Sequence, residues 1–261
     1  MNEKTKPSKE DYLSRIGAEM KKYLSADEWT LRQKLALTCR ILAREGHASG
    51  LAGQITARSE EPGVFLTIRL GLGFDEISAG NLIRCDDDLK PLDGDGMPNP
   101  ATRFHIWVYR ARPDANCIVH THPPHCSALS MIGEALAVSH MDTTPLHDEV
   151  AFLPHWPGVP VADEEGRLIS EALGAKKRAI LLAHHGQLVA CDTVERAAVM
   201  AVTMERAARL QLLARSAGEI KAIDAGLARE AHDYRHQERH VTASFGYLAR
   251  QVLRETPECL E

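Results

Sequence analysis

Residues 117–122 read Cys-Ile-Val-His-Thr-His, an apolar run that ends in two histidines separated by one residue. The apolar and β-branched residues predict a β-strand, and alternation along a strand puts the side chains of His120 and His122 on one face. Their separation would be about 6–7 Å, a spacing at which two imidazoles can bind one metal ion. Two hydrogen-bonded histidines at a strand end would have the same spacing, so this motif alone leaves both interpretations open.

A second predicted strand, at residues 179–183, runs directly into His184-His185-Gly186. Neighbouring side chains on a strand point to opposite faces, so at most one of these two histidines could join His120 and His122. A third imidazole would complete a ligand set of the kind that holds zinc and leaves a position open for substrate. We therefore predict a metal site built from the ends of two strands.

Strands and helices alternate along most of the remaining sequence. Residues 54–58 and the period-two pattern of residues 64–70 predict strands, residues 163–173 predict a helix, and a charged helical stretch is predicted at about residues 227–254. No repeat or low-complexity linker divides the chain, which predicts one α/β domain with a helical tail. The predicted parts are an N-terminal arm (1–24), the domain (25–220) and a C-terminal helical tail (221–261).

The composition argues against several classes of function. The 261 residues carry a formal charge of −5, from 31 basic and 36 acidic residues, which does not favour a nucleic-acid-binding surface. No apolar run approaches the ~18 residues that span a bilayer, and residues 1–24 are charged throughout, unlike a signal peptide. The six cysteines form no Cys-x-x-Cys pair. We therefore expect a cytoplasmic protein that acts on a small molecule, with no membrane or nucleic-acid partner.

Three segments together resemble the class II aldolase/adducin family. The run Tyr-Arg-Ala-Arg-Pro-Asp at residues 109–114, followed by the histidine motif of residues 119–122, matches one conserved block of that family. The strand that ends in His185-Gly186 matches a second block, and the glycine turn and strand of residues 50–58 match a third. The resemblance covers roughly residues 29–217, which is most of the chain.

The resemblance implies a three-layer α/β/α class II aldolase-like fold with a central mixed or antiparallel sheet. It also implies a homotetramer in which one divalent metal ion lies near the subunit boundary, most often zinc, with manganese or cobalt as alternatives. The implied ligands are His120, His122 and His185, while His184 faces away and is structural. Such an ion could chelate a carbonyl and a neighbouring hydroxyl or carboxylate of a small substrate and act as a Lewis acid.

The sequence departs from the aldolases of this family at one site. Ala101 occupies the position of the aldolase glutamate, which serves as acid/base, and the two phosphate-loop serines before it are replaced by Asn99 and Pro100. Gln54 replaces the turn asparagine that helps to hold phosphate. We therefore expect a non-phosphorylated substrate, with Gln54 and Asn99 as candidate substrate contacts.

Loss of the glutamate also bears on the reaction. An aldolase must remove a proton from carbon, whereas a decarboxylase forms its carbanion by losing CO₂ and then needs a proton donor. Ala101 thus favours decarboxylation, or a base supplied from elsewhere. The candidate catalytic residues are His125, His147, Glu149 and His155. The alternatives are a helix cap for His125 and loop or strand-edge surface positions for the other three.

Two classes of function remain in competition. The first is a metal-dependent lyase that cleaves a C–C bond of a small hydroxy or keto acid, by decarboxylation or aldol cleavage, with an epimerase or dehydratase on the same metal site as a variant. The second is an adducin-like interaction module without catalysis. Retention of all three metal histidines favours the enzyme. Three further histidines at four-residue spacing, His232, His236 and His240, predict a solvated or subunit-facing stripe on the tail helix.

Overall fold

Seven strands form one mixed sheet in the part of the chain that the computed structural model describes, which comprises residues 7–23, 29–93, 96–158 and 163–261. The strands lie in the order β3-β2-β1-β4-β7-β6-β5, and every neighbouring pair is antiparallel except β5 and β6, which are parallel. The predicted sheet type is confirmed. The strand bounds are β1 Gln54–Arg58, β2 Phe65–Thr67, β3 Ile83–Cys85, β4 Cys117–Thr121, β5 Val150–Leu153, β6 Ala179–Leu182 and β7 Gln187–Cys191.

Helices cover both faces of the sheet, as the predicted three-layer fold requires. The described helices are α1 Lys9–Tyr23, α2 Leu31–Arg44, α3 Arg103–Ala111, α4 Pro124–Met131, α5 Asp163–Leu173, α6 Val194–Ala217, α7 Ala225–Arg235 and α8 Glu238–Leu253. Alternation along the central strand β4 divides the core: Cys117 and Val119 belong to the apolar cluster that includes α2, α6 and α8. Ile118 belongs to the cluster that includes α3 and α5. His120 is two residues beyond Ile118, so it faces the α3 and α5 layer.

The tail is two helices rather than the single helical stretch predicted at about residues 227–254. The chain turns at His236 and Gln237, between α7 and α8. The Arg196 guanidinium of α6 donates to the carbonyl oxygen of His236, which fixes the end of α7 with a partner 40 residues away. Helix α8 then packs against α2 and α6 through buried residues that include Phe245, whose ring lies edge-on to Trp29.

The N-terminal segment contains one described helix, α1, which contacts α8 and is joined to α7 by an ion pair between Lys9 and Glu230. The predicted boundary after residue 24 lies outside the described residues, so the three-part division of the chain remains a prediction. None of the described helices is both long enough and apolar enough to cross a membrane.

Candidate metal centre

Three histidines converge where β4 ends beside the turn between β6 and β7. One ring nitrogen each from His120, His122 and His185 lies within 4.8 Å of the others. The Nε2 atoms of His120 and His122 are 2.9 Å apart, and the His185 ring centroid is 4.7 Å and 4.6 Å from those of His120 and His122. The structure therefore brings together the three residues that the two sequence motifs predict as metal ligands.

Gly186 allows the turn between β6 and β7 to lie against the end of β4. A Cβ atom at Gly186 would be 2.4 Å from the carbonyl oxygen of Thr121 and 2.7 Å from Cδ2 of His122, which no side chain could occupy without displacement. His184 takes a left-handed conformation with φ of 55° and is exposed, so it faces away from the three histidines. Steric contact thus explains why glycine follows His185 in the motif. Glycine allows the turn to place His185 beside His120 and His122, and the same turn directs His184 away from them.

The rings are held as neutral imidazoles, the form that binds a metal ion. His120 Nδ1–H donates a hydrogen bond to the carbonyl oxygen of Gln187 at 2.8 Å, which leaves the lone pair on Nε2 directed at the group. Burial, together with the neighbouring His185 and His122, holds the pKa of His120 well below its usual value. Burial, and the repulsion that a second proton on the neighbouring His122 would cause, lower the pKa of His185 to about 4, and burial also lowers the pKa of His122.

Helix α3 supplies an apolar wall beside the three histidines. The ring of Phe104 lies edge-on to His120, with centroids 4.9 Å apart. His105 is fully buried, its Nδ1 is 2.9 Å from Oγ1 of Thr56, and its Nε2 has no hydrogen-bond partner among the described residues. Burial lowers the pKa of His105 to about 3. Ala101 precedes this helix and packs on the same apolar cluster, so α3 brings no carboxylate from that position.

Helix α5 adds a carboxylate that the sequence analysis missed. Glu165 is 3% exposed, and its Oε1 is 3.8 Å from Nδ1 of His185. Neither carboxylate oxygen has a hydrogen-bond partner in the described part of the chain, and burial raises the pKa of Glu165 to about 7. The signal was available: Glu165, Ile169 and Leu173 are four residues apart and share the buried face of α5. Its position among three acidic residues of the first turn is typical of a solvated helix start, which concealed that signal.

His125 forms a close pair with a carboxylate of α6. Its Nδ1 is 2.5 Å from Oε1 of Glu205, and the same carboxylate accepts hydrogen bonds from the backbone amides of His125 and Cys126 at the start of α4. The His125 side chain is 38% exposed, and no described residue forms a hydrogen bond with its Nε2. Glu205 therefore caps α4 and orients His125, three residues beyond the ligand candidate His122.

The other three catalytic candidates lie outside the group formed by the three histidines. Glu149 accepts hydrogen bonds from Arg178 at 2.6 Å and from His232 at 2.9 Å, so it is a buried and paired carboxylate. His147 lies 3.6 Å from the carboxylate of its neighbour Asp148, and His155 is exposed in the loop after β5.

Glu149 forms a second group with two histidines of the tail, His232 and His236, again with one ligand-type atom of each within 4.8 Å. The prediction of a solvated or subunit-facing histidine stripe was wrong for both: His232 is 6% exposed and His236 is half-buried. The reason is that α7 packs its histidine face against residues 141–146 and the start of β5. His236 Nε2–H donates to the carbonyl oxygen of Pro145 at 2.7 Å, and its Nδ1 is 3.1 Å from a nitrogen of Arg196.

The two candidate substrate contacts differ in their surroundings. Gln54 of β1 is the register partner of His120 on β4, so the two side chains are neighbours on one face of the sheet. Gln54 is 4% exposed, and its Oε1 has no partner among the described residues. Asn99 instead uses its Oδ1 to accept the backbone amide of Ala101 at 3.0 Å, as an N-terminal cap of residues 100–102.

Comparison with known proteins gives consistent matches. The family model described as class II aldolase and adducin N-terminal domain matches residues 33–212. The chain is 32% identical over 203 residues to a Streptomyces roseochromogenus subsp. oscitans protein named 4-hydroxy-3-prenylphenylpyruvate oxygenase/4-hydroxy-3-prenylbenzoate synthase, which covers 76% of this chain and 73% of that protein. It is also 32% identical over 203 residues to decarboxylase NovR of Streptomyces niveus, covering 76% and 75% of the two chains. The solved L-fuculose 1-phosphate aldolase from Glaciozyma antarctica PI12 has a TM-score of 0.80 at 26% identity, covering 88% and 92%.

Proposed function

The chain belongs to the class II aldolase and adducin family, and we propose that it is a divalent-metal-dependent carbon–carbon lyase that decarboxylates a small, non-phosphorylated hydroxy or keto acid. The family resemblance carried by the histidine motifs is confirmed, and the aldolase and decarboxylase relatives support a lyase. The observation that carries the metal dependence is the convergence of three imidazole nitrogens within 4.8 Å at the end of β4.

The residues present fit a divalent ion. His120, His122 and His185 offer neutral imidazoles, and the Nε2 atoms of the first two are 2.9 Å apart with no carboxylate or backbone carbonyl bonded to either. Three protein nitrogens with an open position are typical of catalytic zinc, so we propose zinc at this site. A bound ion would supply a Lewis acid for a carbonyl or carboxylate oxygen of the substrate.

The residues at positions 99–101 (Asn99, Pro100 and Ala101) favour decarboxylation over aldol cleavage. The methyl side chain of Ala101 cannot remove a proton from carbon, which an aldolase needs in the condensing direction. Pro100 has no backbone N–H to offer a phosphate, and the side-chain oxygen of Asn99 is already bonded within its own turn. These residues support a substrate without a phosphate group. Gln54, whose Oε1 is free beside His120, is the proposed substrate contact on the sheet.

We propose His125 as the proton donor that follows CO₂ loss. A positioned acid or base is commonly oriented by a third group, and Glu205 fills that role by holding Nδ1 of His125 at 2.5 Å. The opposite nitrogen, Nε2, then remains to exchange a proton with substrate or solvent. Among the four catalytic candidates, only His125 combines a carboxylate partner of this kind with a position on the segment that directly follows the metal-ligand motif.

We also propose a homotetramer in a cytoplasmic compartment. Exposed apolar side chains lie at the ends of α4 and α6, two helices that pack together, and such surfaces favour association between subunits. They include Met131, Ile132, Leu210 and Leu213. All six cysteines are free and buried, which fits a reducing compartment. A non-catalytic, adducin-like role is the competing function, and the three converging imidazoles argue against it because a scaffold has no physical need for them.

The test is a panel of small hydroxy and keto acids, assayed for CO₂ and for aldehyde release. The assay would compare four samples, each with and without oxygen: the enzyme as purified, the enzyme stripped with a chelator, the zinc-restored enzyme and the variant His185→Ala. We expect CO₂ release that disappears on stripping, returns with zinc, needs no oxygen and is lost in His185→Ala. Aldehyde without CO₂ would reject decarboxylation in favour of aldol cleavage, and oxygen-dependent turnover would reject the lyase. Absence of any metal from folded wild-type protein would favour the adducin-like role.

A further inference from the structure

Glu165 is a buried carboxylate whose Oε1 lies 3.8 Å from Nδ1 of His185, and the sequence resemblance assigns it no role. We propose that Glu165 is a positioning residue of the metal centre: its carboxylate accepts the Nδ1–H of His185 and so directs the Nε2 lone pair of that ring towards His120 and His122. The inference rests on the proposed metal dependence of the enzyme.

The first argument is that Glu165 lacks any other partner among the residues that the structure describes. It is 3% exposed and neither of its oxygens has a hydrogen bond in the described part of the chain. Two other buried carboxylates, Glu149 and Glu205, each accept at least two hydrogen bonds. An isolated buried carboxylate is costly, so retention of one beside His185 points to an interaction that forms with that ring. The 3.8 Å separation from Nδ1 of His185 needs to close by less than 1 Å for a hydrogen bond.

The second argument is that α5 is fixed in the position that presents Glu165. The carboxylate of Asp163 accepts hydrogen bonds from Trp107 at 2.9 Å and from Arg103 at 3.0 Å, both on α3. Gly166 lies so close to Trp107 that a Cβ atom there would be 2.6 Å from the indole ring. Two turns of core residues, Ile169 and Leu173, then anchor the same face of α5. Contacts with α3 before Glu165 and with the apolar core after it therefore fix the position of α5.

The third argument concerns which contact the carboxylate makes. The group of ligand-type atoms within 4.8 Å of one another contains three histidines and no carboxylate, and the ring nitrogen of His185 that Glu165 approaches, at 3.8 Å, is Nδ1. Histidine ligands of metal ions commonly donate their second N–H to a carboxylate or backbone carbonyl, which fixes the tautomer and the ring orientation. His120 already has such a partner in the carbonyl oxygen of Gln187. Glu165 provides the equivalent partner for His185.

The experiment compares the dissociation constant for zinc of wild-type protein, Glu165→Met and Glu164→Met, by competition with a chromophoric chelator. Methionine has a similar volume but no oxygen that could accept the Nδ1–H of His185. Glu164 is the matched control because it is the adjacent carboxylate of α5, exposed and paired with Arg167. We expect Glu165→Met to weaken zinc binding about 10–100-fold and Glu164→Met to leave it unchanged. The thermal midpoint of metal-free Glu165→Met should equal or exceed that of the wild type, because an apolar side chain replaces an unpaired buried carboxylate.

Unchanged zinc affinity in Glu165→Met would overturn the proposal, and so would a loss of stability in the metal-free variant that accounts for its weaker binding. A second measurement uses the metal-free wild type alone: long-range ¹H–¹⁵N spectra of the imidazoles should show His185 as the Nδ1–H tautomer, and the Nε2–H tautomer would overturn the proposal. Failure of the wild type to bind zinc would instead contradict the proposed function, so the two failures are distinguishable.

Discussion

Two groups of three potential metal ligands occur in the described structure, and their surroundings differ. His120, His122 and His185 lie at the end of β4, whereas Glu149, His232 and His236 join the tail to β5. In the first group no cationic side chain of a described residue is bonded to a ligand atom. In the second, Glu149 is bonded to Arg178, and both ring nitrogens of His236 have partners in Arg196 and Pro145.

The comparison teaches that proximity of ligand-type atoms does not by itself make a metal site. An imidazole binds a metal ion through an unprotonated nitrogen, and a nearby guanidinium opposes the charge of the ion. His232 donates or shares protons with carboxylates at both nitrogens, since Nδ1 is 2.7 Å from Asp233 and Nε2 is 2.9 Å from Glu149. These differences support the proposal that the β4 group binds the metal ion, and we propose a structural role for the second group, which holds α7 against β5.

The largest expected effect separates the two groups by metal content. His185→Ala should reduce bound zinc from about one ion per chain to almost none, because removal of one of three ligands leaves a weak pair. His232→Ala should retain the full complement. Elemental analysis of both purified variants, after dialysis against metal-free buffer, measures this directly. Equal loss of metal in the two variants would contradict the proposal that only the β4 group binds zinc.

The next effect tests how the β4 group is assembled. Gly186→Ala should destabilise the protein by about 2–3 kcal/mol, because the new Cβ would lie 2.4 Å from the carbonyl oxygen of Thr121 and 2.7 Å from His122. Zinc affinity should fall with it, since His122 must move. Gly218→Ala is the control, because a Cβ there meets nothing within 4 Å. Urea unfolding would measure the free energy of unfolding, and chelator competition would measure the zinc affinity. A Gly186→Ala variant with unchanged stability would contradict the steric explanation of the His-Gly motif.

A smaller effect tests the structural role of the second group. His232→Ala should lower the free energy of unfolding by about 2 kcal/mol, because Glu149 loses one of its two partners in a buried position. His155→Ala, an exposed loop position, should leave it unchanged. Chemical denaturation of the metal-free proteins is the measurement. An effect as small as that of His155→Ala would show that the tail histidine does not stabilise α7.

The effect that is smallest near neutral pH, and that grows on acidification, is the pH dependence of stability caused by His105, which lies beside the β4 group. Burial lowers the pKa of His105 from 6.5 to about 3, so between these pH values the unfolded chain takes up a proton that the folded chain does not. His105 therefore has no effect on the pH dependence of stability well above pH 6.5. As the pH falls from 6.5 towards 3, the free energy of unfolding decreases by about 1.4 kcal/mol per pH unit because His105 must stay neutral in the folded chain. The stability of His105→Gln relative to wild type should therefore rise by that slope on acidification. A constant difference between pH 7 and pH 5 would contradict the buried, neutral assignment.

The sequence was sufficient to predict the features that depend on local periodicity. The strand that carries His120, the strand that leads into the turn with His185, the helix at residues 163–173 and the three-layer arrangement follow from alternation, helical spacing and the family motifs. The features that it did not predict depend on partners distant in sequence. The break between α7 and α8 requires Arg196, which is 40 residues away, and burial of His232 requires Glu149, which is 83 residues away. Glu165 was missed for a different reason, because an acidic first turn is the ordinary start of a helix.

Anomalous diffraction at the zinc edge, from crystals of the protein grown with zinc, tests the central claim most directly. We predict one strong anomalous peak among His120, His122 and His185, and no peak at Glu149, His232 and His236. A peak at the second group, or none at the first in zinc-loaded crystals, would contradict the account.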